Sequence, residues 1–339
     1  MTGSPATMNA AVYRRPGEVD IVSLPRPDSV TNALIAVEYC GICGTDLHMM
    51  LDGWGTPDAV FGHEWSGRIV DPGATGLDPG TLVVGLPSPV CGTCDLCRAG
   101  RTSLCQNRPE AGTAVERGAF AEYVGVPGDR LVVVPPGIEA RAAAYTEPLA
   151  VALHAVTLSG IADDQSALVT GAGPIGAAII AILTARGIHT IAVEPGEGRA
   201  ALATRLGASV RAVDDLEVTA HPGEPVAEAV PVMFETSGAR SAIEMGLTQL
   251  SPGGIQVLVG TGLDYPKLDT NRIILNELRV TGAFNYDAAG FDDALTLIGS
   301  GSFPVDELID ADSVPLDHLL PTMQRLRAGE IPGKAMVRP

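Results

Sequence analysis

The sequence predicts an α/β protein of two units, a turn-rich β unit followed by a doubly wound parallel sheet. Three observations predict it. The chain has 339 residues, long for a single hydrophobic core. Residues 10–136 read as short apolar runs broken by Gly and Pro, the texture of strands and turns. From Glu139 onward Ala-rich helical runs alternate with short apolar strands, the rhythm of a parallel sheet with crossover helices.

Composition bounds the function. Apolar residues make up 46%, so core material is ample, and the formal net charge is −18. That charge argues against nucleic acid or an anionic membrane as partner, because both require clustered basic residues. The run Met1 to Asn9 has no basic cluster and no apolar core, so it reads as a leader without order rather than a signal peptide, with Met8 as an alternative start. The most apolar run, Ala177 to Leu183, is far too short to span a membrane. The expected compartment is cytoplasmic. Six cysteines in a reducing compartment point to metal binding rather than disulfides.

In the first unit, Ala10–Tyr13 and Ala33–Val37 read as strands. The stretch from Cys40 to His48 then places a thiolate, a hydroxyl, a carboxylate and an imidazole close together, as Cys43, Thr45, Asp46 and His48. Gly62-His63-Glu64 adds a second imidazole and another carboxylate, and leads into the strand Arg68–Val70. Thiolate with imidazole suits zinc, and zinc with three protein ligands keeps one position free for chemistry. Cys43 and His63 are therefore expected as two ligands of a catalytic zinc. After the strand Thr81–Gly85, Cys91, Cys94, Cys97 and Cys105 follow the spacing C-x2-C-x2-C-x7-C. Four thiolates on one loop close a tetrahedral shell with no place for substrate, which describes a structural zinc. Ala119–Val124 and Arg130–Val134 return to strand.

The second unit opens with helical runs at Ala142–Ala144 and Leu149–Leu158. The strand Ala167–Thr170 enters Gly171-Ala-Gly173-Pro174-Ile175-Gly176 and an apolar helix, and the strand Thr190–Val193 ends at Glu194. Strand, glycine turn, helix, strand and acid together are the fingerprint of a dinucleotide site. Gly171 permits the tight turn, Gly173 lets backbone approach a pyrophosphate at the helix N-terminus, and Gly176 allows close helix–strand packing. Glu194 is placed to accept from an adenosine ribose and to repel a 2′-phosphate, favouring NAD over NADP; Arg199 pulls the other way. Strands at Val230–Phe234, Gly254–Gly260 and Arg279–Phe284, and helices at Ala242–Leu250, Phe291–Ile298 and Leu319–Ala328, complete the chain.

The third zinc ligand is open at this level. Glu147, before Pro148 at a helix start where a cleft between the units would lie, is one candidate; Glu64, beside His63, competes. A solvated acid at a helix N-terminus accounts for Glu147 equally well.

Over nearly its whole length, from about residue 8, the chain resembles the zinc-dependent medium-chain alcohol and polyol dehydrogenases. The matching motifs are Cys43-Gly-Thr-Asp-Leu-His48, Gly62-His-Glu64, the four-cysteine loop, Glu147-Pro-Leu149, the turn at 171–176 and the Gly333-Lys334 ending. The resemblance implies a GroES-like β-barrel catalytic domain over residues 8–148, to which 285–339 returns, around a Rossmann NAD-binding domain over 149–284. It implies hydride transfer between an alcohol or carbonyl substrate and NAD, two zincs per chain, and a homodimer or homotetramer. Glu147-Pro-Leu is similar to the sorbitol, threonine and butanediol dehydrogenase branch, in which Glu stands where simple alcohol dehydrogenases use Cys; this favours Glu147 as a ligand. Gly44 stands where many simple alcohol dehydrogenases carry a basic residue. Thr45 and His48 match the family's proton relay, as alternatives to a turn hydroxyl and a structural hydrogen bond. Glu64 is then an alternating ligand or a group behind the metal, and Asp46 orients a ligand. Lys334 pairs with the cofactor pyrophosphate or is an exposed terminal lysine. Cys40 is a buried leftover thiol, and His154 a packed core residue. Trp54 lines a substrate pocket or covers a core edge. The expected substrate is a secondary alcohol, polyol, cyclitol or amino alcohol. A threonine-type amino alcohol dehydrogenase is the alternative within enzymes, and a non-catalytic nucleotide-binding protein with structural zinc only is the alternative outside them.

Overall fold

The computed structural model describes residues 7–29, 32–108 and 118–339. The expected leader lies outside them for residues 1–6, whereas Thr7, Met8 and Asn9 open the first strand. The chain divides into two compact units, Met1–Glu147 with Phe291–Pro339, and Pro148–Gly290.

The first unit begins with an antiparallel hairpin, β1 (Thr7–Arg15) and β2 (Glu18–Pro25). Then come β3 (Ala33–Gly41), α1 (Gly44–Leu51), β4 (Glu64–Asp71), β5 (Leu82–Gly85), the short α2 (Asp95–Arg98), β6 (Tyr123–Val126), β7 (Leu131–Val133) and α3 (Ala140–Ala143). Helix α4 (Thr146–Ser159) carries the chain into the second unit.

There, strands β8 (Ser166–Thr170), β9 (His189–Val193), β10 (Ser209–Arg211), β11 (Val230–Glu235), β12 (Leu250–Leu258) and β13 (Arg279–Gly282) alternate with α5 (Pro174–Ala185), α6 (Glu197–Arg205), α7 (Arg240–Gly246) and α8 (Thr270–Asn276). The six strands form one parallel sheet in the order β10-β9-β8-β11-β12-β13. Taking β8 as the first strand, this is the 3-2-1-4-5-6 order, whose switch point lies between β8 and β11. Helix α5 buries Ile179, Ile180, Ile182 and Leu183, as a helix covering a parallel sheet must. The segment 285–290 belongs to this unit, later than the expected boundary at 284/285. Its Asp287 Oδ2 sits 3.7 Å from Nδ1 of the buried His154 on α4, which ties it to the sheet side.

The chain returns with α9 (Gly290–Gly299), α10 (Val305–Leu308), β14 (Ile309–Pro315), α11 (Leu319–Arg327) and β15 (Lys334–Arg338). In the first unit's larger sheet the order is β14-β15-β3-β4-β5-β7, with β6 also on β3. Strand β3 is central and largely buried, and its end is flanked on both sides: Gly41 pairs with Glu64 of β4 and with Met336 of β15. The core gathers Ile35, Val37, Phe120, Val124 and Val337 with Leu319, Met323 and Leu326 of α11. Those last three recur at helical spacing, so one face of α11 closes the core.

Helix α1 was not expected within the metal motif. It forms because Cys43 is an extended N-cap and Asp46, three residues on, accepts the Cys43 N–H at 2.9 Å. An acid there satisfies an orphan donor and faces the positive end of the helix dipole.

Candidate metal centre and nucleotide-binding turn

Cap, loop and strand bring the first set of donors together. Cys43 caps α1, His63 precedes β4 and Glu64 begins it. One donor atom from each of Cys43, His63 and Glu64 lies within 4.8 Å of the others. Asp46 is buried; its Oδ1 is 3.6 Å from His63 Nδ1. A carboxylate on one ring nitrogen fixes the ring and leaves Nε2 for a metal.

Glu147, in the first turn of α4, is not part of that compact trio, so the group the structure assembles contains the competing acid Glu64. Glu147 is nonetheless buried in the same field. Burial pushes its carboxyl up to about 7, with Glu64 and Asp46 adding to the rise and His63 and Lys334 opposing it. Burial alone would pull His63 down, but Asp46 and Cys43 outweigh it and raise its pKa well above the ordinary value.

Lys334 corrects the reading that put it on a cofactor pyrophosphate or in solvent. It is 1% exposed, and its ammonium is 2.6 Å from both oxygens of Glu64 and 3.2 Å from the carbonyl of Ile42. Only the Oε1 contact has hydrogen-bond alignment; Glu64 Oε2 is a buried oxygen without one. The pair crosses over Gly41, where a Cβ would fall 2.3 Å from Glu64 Oε2 and 3.2 Å from Lys334 Cδ. Glycine is required there by close approach.

The residues fit a divalent cation. Sulfur, imidazole and carboxylate donors converge, and the acids Asp46, Glu64 and Glu147 outnumber the one lysine ammonium among them. The field that draws a proton onto His63 is equally a field for a metal ion.

The second cluster is Cys91, Cys94, Cys97 and Cys105, whose sulfurs also lie within 4.8 Å of one another. Backbone N–H groups point at the sulfurs: Cys94 N to Cys91 Sγ at 3.3 Å, Cys97 N to Cys94 Sγ at 3.5 Å and Cys91 N to Cys105 Sγ at 3.3 Å. Donors from Thr93 and Cys94 draw the Cys91 thiol down to about 5, whereas burial and the neighbouring thiols push Cys97 up to about 12. A wrapped set of four sulfurs, partly biased to thiolate, fits a closed zinc shell.

On α1, Thr45 is exposed and His48 lies one turn further along the same face. His48 Nδ1 is 2.8 Å from Asp52 Oδ2, and Trp54 stacks on the ring. Trp54 is half exposed, so it covers an imidazole rather than a core edge. Cys40 is fully buried; burial, then Asp46 and Glu64, push its thiol well up.

The glycine turn lies at the C-terminal end of β8. Gly171 has φ +83°, Gly173 is the N-cap of α5 and Pro174 its first residue, followed by Ile175. A Cβ at Gly176 would fall 2.1 Å from the carbonyl of Gly171, whereas one at Gly173 would meet nothing within 4 Å. The helix end is thus close-packed below and open above, the shape of a phosphate cradle. Glu194 accepts from Ala172 N at 2.7 Å and from Gly196 N at 2.8 Å, one bond to each oxygen. Each oxygen keeps a lone pair for a ribose hydroxyl. Arg199 lies in the first turn of α6, half-buried.

Sequence reasoning missed Asp52 and Arg327. The four-residue step from His48 to Asp52 is a legible helical pair. Arg327, which forks onto Asp52 from 275 residues away, left no local signal.

Comparison with known proteins agrees with this geometry. The alcohol dehydrogenase GroES-like domain matches residues 29–136, and the zinc-binding dehydrogenase family matches residues 174–300. The chain is 33% identical over 284 residues to 2-dehydro-3-deoxy-L-galactonate 5-dehydrogenase of Pseudoalteromonas atlantica, covering 82% of this chain and 83% of that one. It is 32% identical over 340 residues to L-threonine 3-dehydrogenase of Pyrococcus horikoshii, covering 95% and 96%. A solved structure of a proposed zinc-binding dehydrogenase from Sinorhizobium meliloti 1021, bound to NADP, superposes with a TM-score of 0.85 at 28% identity over 98% of this chain and 100% of that one. Among the described residues no helix is long and apolar enough to cross a membrane. The chain belongs to the zinc-dependent medium-chain alcohol and polyol dehydrogenases, oxidoreductases that act on CH–OH groups with zinc and a nicotinamide cofactor.

Proposed function

We propose that the protein oxidises a secondary alcohol of a polyol, cyclitol or amino alcohol, or reduces the corresponding carbonyl, with one catalytic and one structural zinc per chain and NAD as the preferred cofactor. The observation that carries this reading is the convergence of Cys43, His63 and Glu64 beside the buried Glu147. Cys43, His63 and Glu147 hold the catalytic zinc. Glu64 is the neighbouring acid, because its charge is already matched by Lys334 at 2.6 Å, while Glu147 is the buried carboxyl whose ionised form a metal would favour. The four cysteines hold the structural zinc.

When bound, the metal supplies Lewis-acid polarisation of the substrate oxygen and the nicotinamide supplies the hydride acceptor. The chain's own groups handle the proton. Thr45 offers a hydroxyl on the exposed face of α1, and His48 offers a ring nitrogen one turn away that exchanges with solvent. Asp46 holds His63 in its ligating orientation. Glu194 accepts from the adenosine ribose and disfavours a 2′-phosphate; Arg199 is the nearby cation against that preference.

The exposed side chains of Ile274 and Leu275 on α8, and of Phe284 after the edge strand β13, support a homodimer or homotetramer, since an open sheet edge beside apolar surface is ordinarily covered. Six cysteines without a disulfide support a reducing, cytoplasmic compartment. The test is zinc per chain on protein purified without chelator, followed by a panel of polyols, cyclitols, diols and amino alcohols scored by NADH formation. About two zincs and turnover on the panel are expected. About one zinc that survives replacement of Cys43, with no turnover, refutes the reading in favour of a nucleotide-binding protein with structural zinc alone.

A further inference from the structure

His48 is held in a way that the relay reading alone does not require. Its Nδ1 is 2.8 Å from Oδ2 of Asp52, the C-cap residue of its own helix. Asp52 is in turn gripped by Arg327, the last residue of α11, through a two-pronged contact: Arg327 Nη1 to Oδ1 at 2.8 Å and Nη2 to Oδ2 at 2.9 Å. The same Nη2 reaches the carbonyl of Leu47, 3.3 Å away, on the turn that carries His48. Trp54 lies flat over the imidazole, with ring centroids 4.7 Å apart and planes inclined by 18°. The ring is therefore tethered at one nitrogen and covered on one face, while its side chain stays 23% exposed.

We propose that Asp52, clamped by Arg327, is the positioning residue that fixes the tautomer and orientation of His48, so that Nε2 is the nitrogen that takes up and releases the proton. The inference rests on the relay reading above and adds the atom and the residues that select it.

The chemistry follows from what each group can do. An ionised carboxylate only accepts hydrogen bonds, so a histidine bonded to it carries its hydrogen on Nδ1 and keeps the lone pair on Nε2. Arg327 first, and His48 second, hold the Asp52 carboxyl below its usual range, so it stays an acceptor. A guanidinium meeting both oxygens also fixes the carboxylate plane, which a single contact would leave free to rotate. The charged groups set against the ring are thus Asp52 from α1 and, behind it, Arg327 from α11. The stacked indole covers one face of the ring and hinders its rotation. Without the clamp, a half-buried histidine on a helix samples both tautomers, and the Nε2–H form presents no lone pair on Nε2.

The experiment uses the zinc- and NAD-loaded enzyme with its best panel substrate. Asp52→Asn keeps the shape but its amide can also donate, so the tautomer is no longer dictated. Arg327→Gln weakens the clamp while leaving every residue of α1 in place, at the loss of the contact to the Leu47 carbonyl. Expected for Asp52→Asn is a loss in kcat of roughly 10- to 100-fold, with substrate KM within about two-fold and zinc per chain unchanged; small buffer bases that bind zinc poorly restore part of the rate. Arg327→Gln shows a smaller loss in the same direction, and Arg327→Lys recovers little because its single ammonium cannot fork. Nitrogen-15 NMR of the histidine rings, with His48 assigned by its absence in His48→Ala, shows Nδ1–H alone in the parent and mixed tautomers in Asp52→Asn. The double variant His48→Ala/Asp52→Asn is no slower than His48→Ala. A further slowing in the double variant equal to that of Asp52→Asn alone, or an unchanged tautomer in Asp52→Asn, overturns the inference. If His48→Ala is slow while Asp52→Asn is not, the relay stands and the positioning role falls. If His48→Ala keeps the parent rate, the relay reading itself fails, and this inference with it.

Discussion

Replacing Lys334 by Met tests the least expected contact in the first unit. Lys334 and Glu64 are 1% and 0% exposed, and the ammonium is 2.6 Å from the carboxylate. Removing one partner leaves a carboxylate buried beside Asp46 and Glu147, whose charges also act here. Breaking a buried pair in this way costs about 3–5 kcal/mol. At roughly 2–4 °C per kcal/mol for a unit of this size, the melting temperature should fall on the order of 10 °C. The loss should be greatest in chelated protein and smaller with zinc present, because a cation at Cys43 and His63 takes over part of the compensation. Burial lowers the lysine's pKa, but Glu64 first and Cys43 next raise it, leaving it above the ordinary lysine value. Its contribution to stability is therefore complete below the unfolded lysine pKa and lost as pH rises through the folded one, so the chelated parent should converge on the variant only in strong alkali. The assay is urea unfolding of parent, Lys334→Met, Glu64→Gln and the double variant, each with and without zinc. The double variant should recover most of the loss. A single-variant cost under about 1 kcal/mol, or additive costs in the double variant, would refute the pairing argument.

Three further outcomes follow from the geometry. Gly41→Ala puts a methyl 2.3 Å from Glu64 Oε2; overpacking of this kind costs about 1–3 kcal/mol, and the displaced carboxylate should lower zinc retention on dialysis, while retention equal to the parent's would count against the crossing. Cys97→Ser should reduce zinc from about two to about one per chain and speed thermal inactivation, leaving the remaining zinc sensitive to replacement of Cys43; a full complement measured by atomic absorption would disprove the four-sulfur shell. Glu194→Ala removes the acceptor bonded to Ala172 N and Gly196 N and should shift the ratio of kcat/KM for NAD over NADP toward NADP by roughly 10- to 100-fold, the worth of hydrogen bonds to a charged group; an unchanged ratio would remove Glu194 from the cofactor site.

What the sequence made legible is what lies within one local window. The four cysteines, the turn at 171–176 and the pairing of Cys43 with a histidine at 63 carry their chemistry in their spacing. The strands β8, β9 and β11 and helix α5 are short uniform apolar runs with clear punctuation. Helix α1 hid because it is only eight residues long, its apolar residues cluster toward its second half, and its start depends on the Asp46 carboxylate accepting the Cys43 N–H. Strand β10, of three half-exposed or exposed residues, has no periodicity to read, and α8 buries only Arg272 and Asn276, polar residues that hold the loop at 219–224.

The site shows the same division more sharply. His63 and Glu64 are adjacent, and strand alternation would send them to opposite faces. They converge because β4 begins only at Glu64, so His63 belongs to the loop before it. Lys334 reads from sequence as a pyrophosphate partner or an exposed terminal lysine, since lysines are rarely buried unless paired. Its partner is supplied by register: β15 lies on β3 with Met336 opposite Gly41, and Gly41 lies opposite Glu64 on the far side. The ion pair is thus fixed by which strands adjoin β3. Arg327 and Asp52 repeat the pattern, with α11 seated by Leu319, Met323 and Leu326 in the core and its last residue delivered to α1. In both cases the proposed metal and relay residues come from the first part of the first unit, and the groups that hold their neighbours in place come from the returning segment. Sequence motifs therefore locate the chemistry here, while the charges that orient it depend on hydrophobic packing and strand order established elsewhere in the first unit.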